Sequence, residues 1–286
     1  MKQKKTLLLG AHMSISGGFE KAIQRGESIG CTAIQIFTKS NRQWHAQKIT
    51  NEQALLFKQT MTSSTIKIVI AHATYLINLG SPQKSVAEKS VLALVQELAR
   101  CDQLDIPYLV LHPGSHLESG ESICIKQIIE NIDSALEQAQ SNTMLLLETM
   151  AGQGTSVCYR FEDIATIINS SKNPTKIGVC FDTCHVFAAG YDFRDPETYK
   201  AMWLQFDAIV GYEKLKVIHL NDSKKDLGMH VDRHENIGKG KIGLNAFRLI
   251  INDKNLASVP KILETPKTTL EDDRNNISII EKLVDN

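Results

Sequence analysis

Six times along the chain a short apolar run stops on a side chain that can ligate a metal: residues 66–71 on His72, 108–111 on His112, 144–147 on Glu148, 178–181 on Asp182, 215–218 on His219 and 261–263 on Glu264. Two earlier runs, 7–11 and 33–37, complete a set of eight. Runs this short, bounded by turn residues, read as buried strands. Between and after them lie eight patterns with helical spacing, at 19–30, 55–57, 84–104, 123–139, 161–169, 196–210, 244–251 and 270–284. Strands alternating with helices at a repeat of about thirty to forty-five residues predict an α/β fold, a (β/α)8 TIM barrel in a single domain over residues 1–286. No GxGxxG follows the first strand, which weakens the case for an open dinucleotide-binding sheet.

In such a barrel the C-terminal strand ends share one face, where these enzymes keep their active sites. The six terminal side chains would therefore point into one mouth. His185 follows Asp182 at the same rim, and the polar segment 221–243 adds Asp232 and His234. A loop longer than ~15 residues with no structure of its own is usually functional. One Asp and one His can equally form a structural pair. Four carboxylates and five imidazoles together, without cations, would carry repelling charges and unmet donors, so bound metal is the economical way to stabilise them. The donor set suits zinc, manganese or iron. Zinc takes four ligands, so nine side chains with bridging suit three ions. Clustered cations favour in-line displacement at phosphorus. That chemistry needs no side-chain nucleophile, and no Ser-His-Asp pattern or reactive-cysteine motif is recognisable.

Lys+Arg and Asp+Glu balance at 32 each, so no global basic field holds nucleic acid. Any such contact must come from a local patch, for which the rim loops offer Lys39, Arg42, Lys224, Lys225, Arg233, Lys239 and Lys241. Singly each reads as solvated surface. Together with Gln43, Trp44 and Tyr75 they read as a phosphate-gripping surface with planar side chains able to enter a base stack, the alternative for Trp44 and Tyr75 being loop packing. The apolar run after the basic residues 1–5 is too short for a secretory core of about 7–15 residues, and no stretch approaches the ~20 needed to cross a bilayer. Cys31, Cys101, Cys124, Cys158, Cys180 and Cys184 show no paired CxxC spacing. They are expected to be reduced and mostly buried, in a cytoplasmic protein.

Several segments carry a resemblance: Gly178 to His185, His112-Pro113-Gly114-Ser115-His116, His219-Leu220-Asn221-Asp222, Val231-Asp232-Arg233-His234, Gly238-Lys239-Gly240 and Leu263-Glu264-Thr265-Pro266. In this order they resemble the signature segments of the endonuclease IV family of apurinic/apyrimidinic endonucleases, and the likeness runs from His12 to Pro266. The resemblance implies a DNA-repair hydrolase that cuts the phosphodiester 5′ to an abasic site, leaving a 3′-hydroxyl and a 5′-deoxyribose phosphate. It implies three zinc ions, with manganese an alternative at one site. His72, His112 and Glu148 would hold one; Glu148, Asp182, His219 and Glu264 a second; His185, Asp232 and His234 a third. Glu148 would bridge the first two and stand at the catalytic centre. Arg42, Gln43, Trp44, Tyr75 and Leu76 match the DNA-penetrating loops, Arg233 is a further DNA contact, and His12 would lie near the DNA-facing mouth.

The implied substrate is double-stranded DNA with abasic sites or blocked 3′ ends, bound by a monomer without a membrane. His45, His116 and His230 receive no role. Thr149-Met150 departs from the more polar pair of some relatives, which puts only contacts behind Glu148 in question. One alternative is a single-metal sugar isomerase or epimerase using Glu148, Asp182, His219 and Glu264 alone; another is a damage-binding or metal-sequestering protein without turnover.

Overall fold

The computed structural model describes residues 7–285; the basic segment 1–5 lies outside them. The strands are β1 (Leu9–His12), β2 (Ala33–Phe37), β3 (Ile68–His72), β4 (Tyr108–Leu111), β5 (Met144–Glu148), β6 (Ile177–Asp182), β7 (Leu215–His219), a short pair β8 (Asp222–Ser223) and β9 (His234–Glu235), and β10 (Lys261–Leu263). β1 to β7 and β10 pair in parallel in chain order, and β10 returns to β1 to close the predicted barrel. Around it run α1 (Phe19–Ser28), α2 (Asn51–Ser63), α3 (Lys84–Gln103), α4 (Glu121–Ala139), α5 (Phe161–Ser170), α6 (Thr183–Ala189), α7 (Pro196–Ile209), α8 (Leu244–Asn252) and α9 (Leu270–Lys282). Local signals start them. Thr50 and Gln53 form a reciprocal cap on α2, and Asp195 caps α7 ahead of Pro196.

Two-residue strand periodicity arranges the interior. Ala33, Ile70, Val110, Leu146, Cys180, Val217 and Ile262, one from each strand of the barrel but β1, form a buried apolar cluster of their own inside the ring. Side chains two residues further along a strand lie on the same face. Those positions are Gln35, His72, His112, Glu148, Asp182, His219 and Glu264, so a polar layer sits directly on an apolar plug. In β1 the corresponding pair is Gly10 and His12. A Cβ at Gly10 would sit 1.7 Å from the Ala33 carbonyl oxygen, so β1 reaches β2 only because that position is glycine.

The other strand face packs on the helices. Phe181 stacks on Trp203 at 4.7 Å between centroids, and Phe206 meets Phe161 edge-on at 5.2 Å. Phe206 is fully buried, and Phe206→Ala is expected to cost about 3–5 kcal/mol in a urea titration. Full stability in that variant would show that α7 does not anchor this side of the barrel.

β6 runs straight into α6, whose N-terminus is capped by the Asp182 carboxylate accepting from the His185 backbone N–H at 2.8 Å. One local expectation needs correcting: 221–243 is not without structure. β8 and β9 pair antiparallel, and the buried Asp222 carboxylate accepts from the N–H groups of Ser223, Gly238, Gly240 and Ile242 at 2.8–3.0 Å. Gly240 allows that approach, since a Cβ there would fall 2.4 Å from both Asp222 Oδ1 and the Ser223 carbonyl.

Candidate metal centre

Glu148, at the end of β5, is fully buried at the middle of the polar layer. Its Oε2 lies 3.1 Å from His72 Nε2 and 3.1 Å from His112 Nε2. Its Oε1 lies 3.1 Å from His219 Nδ1 and 3.3 Å from His185 Nδ1. His219 Nδ1 also lies 3.2 Å from Glu264 Oε2 and 3.8 Å from Asp182 Oδ2. Asp232 faces two rings, Oδ2 at 3.2 Å from His185 Nε2 and Oδ1 at 3.4 Å from His234 Nε2. All nine metal-type side chains singled out in the sequence thus meet in one place.

Their ligand atoms fall into compact groups within 4.8 Å of one another: His72, His112 and Glu148; Glu148, Asp182, His219 and Glu264; His185, Asp232 and His234. A fourth group, Asp182, Cys184 and His234, shares two of those members and adds a thiol.

The ring orientations fit cations. Main-chain carbonyls can only accept, so the Nδ1 atoms of His72, His185 and His234, at 2.7, 2.9 and 3.1 Å from the carbonyls of Ala73, Thr149 and Glu264, carry the protons. Their Nε2 atoms then face the cluster. His219 is held the other way round. Gln35 gives its amide N–H to Glu264 Oε1 at 2.6 Å, which turns its carbonyl oxygen to His219 Nε2 at 2.7 Å and leaves His219 Nδ1 for the cluster. The Nε2 atoms of His185 and His234 are buried and lack a hydrogen-bond partner although Asp232 oxygens are near, an arrangement a shared cation would satisfy.

Burial disfavours charge on these groups, and their neighbours overcome it. Glu148 is held well below the usual carboxylate range, against its burial, by His219 and His112. Asp232 is lowered to about 2, against burial, by His185 and His234. Conversely, His185 is pushed well above the usual imidazole value, against burial, by Asp182, Asp232 and Glu148. The mutual stabilisation marks a strongly polarised site of the kind found at functional centres.

Tyr75 is 53% exposed, and its ring lies 5.3 Å from both His72 and His112. Arg42, Gln43 and Arg233 are exposed, and Leu76 is half-buried. Trp44 is half-buried and packs partly on the core. His12 lies deeper than the outer mouth, with Nδ1 3.1 Å from Gln35 Nε2 and its ring 4.3 Å from Phe37. Lys39 does not belong with the rim cations: it is buried, 3.5 Å from Glu97, and donates to the Trp44 carbonyl at 3.0 Å. Lys224, Lys225, Lys239 and Lys241 are exposed. His45 is exposed, His116 is half-buried, and His230 bonds the Ala151 carbonyl; none joins the three principal groups.

Several supporting residues receive no role from the sequence. Gln35 was visible as a lone polar residue inside an apolar run. Asn221 donates to Asp182 Oδ2 at 2.7 Å and accepts from the Glu264 N–H at 2.7 Å. Thr149, flagged only as a departure, accepts from the Asp182 N–H through its hydroxyl and from His185 through its carbonyl. All six cysteines are free and buried, as expected. Among the described residues no helix is long and apolar enough to cross a membrane.

The sequence pattern of the xylose isomerase-like TIM barrel family matches residues 23–283. A probable endonuclease 4 from Chloroflexus aggregans is 50% identical over 277 residues, 96% of this chain and 97% of the relative. One from Geotalea daltonii is 45% identical over 278 residues, 96% of this chain and 98% of the relative. The crystal structure of endonuclease IV from Thermus thermophilus superposes with a TM-score of 0.87 at 34% identity, covering 96% of this chain and 98% of that one. A D-tagatose 3-epimerase-like protein shares the fold at a TM-score of 0.72 and 16% identity. With a polar layer of this composition on a closed barrel, and relatives this close along nearly the whole length, the chain belongs to the endonuclease IV family of xylose isomerase-like TIM barrels.

Proposed function

We propose that the chain hydrolyses the DNA phosphodiester 5′ to an abasic site, leaving a 3′-hydroxyl and a 5′-deoxyribose phosphate, and acts as a monomer in the cytoplasm on duplexes with abasic sites or blocked 3′ ends. The observation that carries this reading is Glu148, whose two carboxylate oxygens each face a different pair of imidazoles. A side chain so placed can bridge two cations. Three zinc ions would be held by His72, His112 and Glu148; by Glu148, Asp182, His219 and Glu264; and by His185, Asp232 and His234, with manganese an alternative at one site. Bound there, they supply Lewis acidity toward the phosphate and lower the pKa of water.

The chain's own residues do the rest. Gln35 and Asn221 fix the carboxylates of Glu264 and Asp182, so these groups do not reorganise as charge develops. Tyr75 and Phe37, with rings 5.5 Å apart, wall one side of the mouth. A sugar lacking its base enters where an intact nucleotide would clash. Arg42, Gln43, Trp44, Tyr75 and Leu76, with Arg233 and His12, are the DNA contacts in this reading: Arg42 and Arg233 bring charge to the phosphates and the planar side chains fill the stack. Gln35→Ala is expected to weaken zinc retention or incision by about 10–100-fold in a chelator competition or nicking assay; unchanged values would make Gln35 mere filling.

Incubation with a duplex carrying one abasic analogue tests the reading. A nick on the 5′ side supports it, and binding without a nick sinks it. The group Glu148, Asp182, His219 and Glu264 taken alone would favour a one-metal epimerase. That second reading leaves the five other side chains idle, and metal content separates the two.

A further inference from the structure

The two segments that carry most of the proposed DNA contacts, 38–50 after β2 and 73–83 after β3, converge on one carboxylate outside the metal cluster. Glu97, on α3, is fully buried. Its Oε2 accepts from the Thr38 hydroxyl at 2.7 Å. Its Oε1 lies 3.5 Å from Lys39 Nζ and accepts from the Thr74 backbone N–H at 3.4 Å. Lys39 then donates to the Trp44 carbonyl at 3.0 Å, and the Thr74 hydroxyl to the Asn41 carbonyl at 2.7 Å. Arg100, one turn along α3, donates to the Thr38 hydroxyl at 3.0 Å and the Gln47 carbonyl at 2.8 Å. One network thus ties each segment to α3 and the two segments to each other.

A buried carboxylate paired with a buried ammonium is a poor way to gain stability, because removing both from water costs about as much as their attraction returns. What such a pair supplies is direction: the carboxylate takes one arrangement of donors and the ammonium one arrangement of acceptors. None of the groups bonded to Glu97 is among the nine metal-type side chains. Its effect on the chemistry therefore has to pass through the loops.

We propose that Glu97 is a positioning residue for incision, holding Arg42, Gln43, Trp44, Tyr75 and Leu76 as one preset surface through Thr38, Lys39 and Thr74. The inference rests on the reading of those five residues as DNA contacts. Loops fixed before the encounter lose less entropy when DNA binds, so the loss of Glu97 falls on binding rather than on bond cleavage. The proposal differs from a general stabilising role in its kinetic signature.

The test compares the zinc-loaded protein with Glu97→Gln on the abasic-analogue duplex, and measures trypsin cleavage after the exposed Arg42 and Lys48. Glu97→Gln is expected to raise KM about tenfold, leave kcat within about threefold, keep its metal, and be cut in this loop about tenfold faster. If that variant fails to fold, Glu97→Gln/Lys39→Met, which leaves neither charge unpaired, is read in the same way. Unchanged KM and unchanged loop cleavage overturn the proposal, as does a fall in kcat with loss of metal. The unaltered protein, run alongside, separates two failures: if it nicks and the variant matches it, only the role of Glu97 falls; if it does not nick, the parent reading falls.

Discussion

Glu148→Gln is expected to keep the barrel and to lose strand cleavage by about a thousandfold or more. The amide has nearly the volume of the carboxylate, so the fully buried position is still filled. One of its two terminal atoms, however, becomes an N–H donor. Whichever way the amide turns, it faces a donor either toward His72 and His112 or toward His219 and His185, and it can no longer serve both pairs as an anion. The measurement is nicking of an abasic-analogue duplex by a variant whose circular dichroism matches the parent. Retained cleavage would remove Glu148 from the catalytic centre.

Stripping metal is the second large effect. Prolonged chelation should abolish nicking and lower Tm by roughly 5–10 °C, and zinc should restore both. Four carboxylates and five imidazoles converge in the polar layer, and the Nε2 atoms of His185 and His234 have no hydrogen-bond partner within the protein. Cations that bind this arrangement and not the unfolded chain stabilise it by mass action. Calorimetry before and after chelation reads the shift. An unchanged Tm with full activity would mean that the cluster is a self-sufficient hydrogen-bonded network.

The strand ends explain why so much of this site could be read from the sequence. A side chain inside a barrel alternates with one that packs on a helix, so a polar residue closing an apolar run is forced to the mouth; His72, His112, Glu148, Asp182, His219 and Glu264 all announce themselves in this way. Gln35 occupies the same layer but escaped, because the apolar run of β2 continues past it to Ile36 and Phe37 and conceals a polar residue in mid-strand.

The short elements were hidden for a different reason. α6 begins directly after a residue that both ends a strand and caps the helix, and β8 and β9 are two residues each, too short for any periodicity to appear. Asp232 and His234 were therefore found by residue type, and their ribbon only by structure. Lys39 shows the limit of rim reasoning. Its place after β2 is correct, but the carboxylate that buries it comes from α3, a partner no local pattern reveals.

The number of cations held at the mouth of the barrel decides between the two chemistries. Elemental analysis of the purified protein measures this directly, and the reading predicts about three zinc equivalents per chain, with manganese replacing zinc at no more than one site. About one equivalent would leave His72, His112, His185, Asp232 and His234 without the role assigned to them and would contradict the nuclease mechanism in favour of single-metal sugar chemistry.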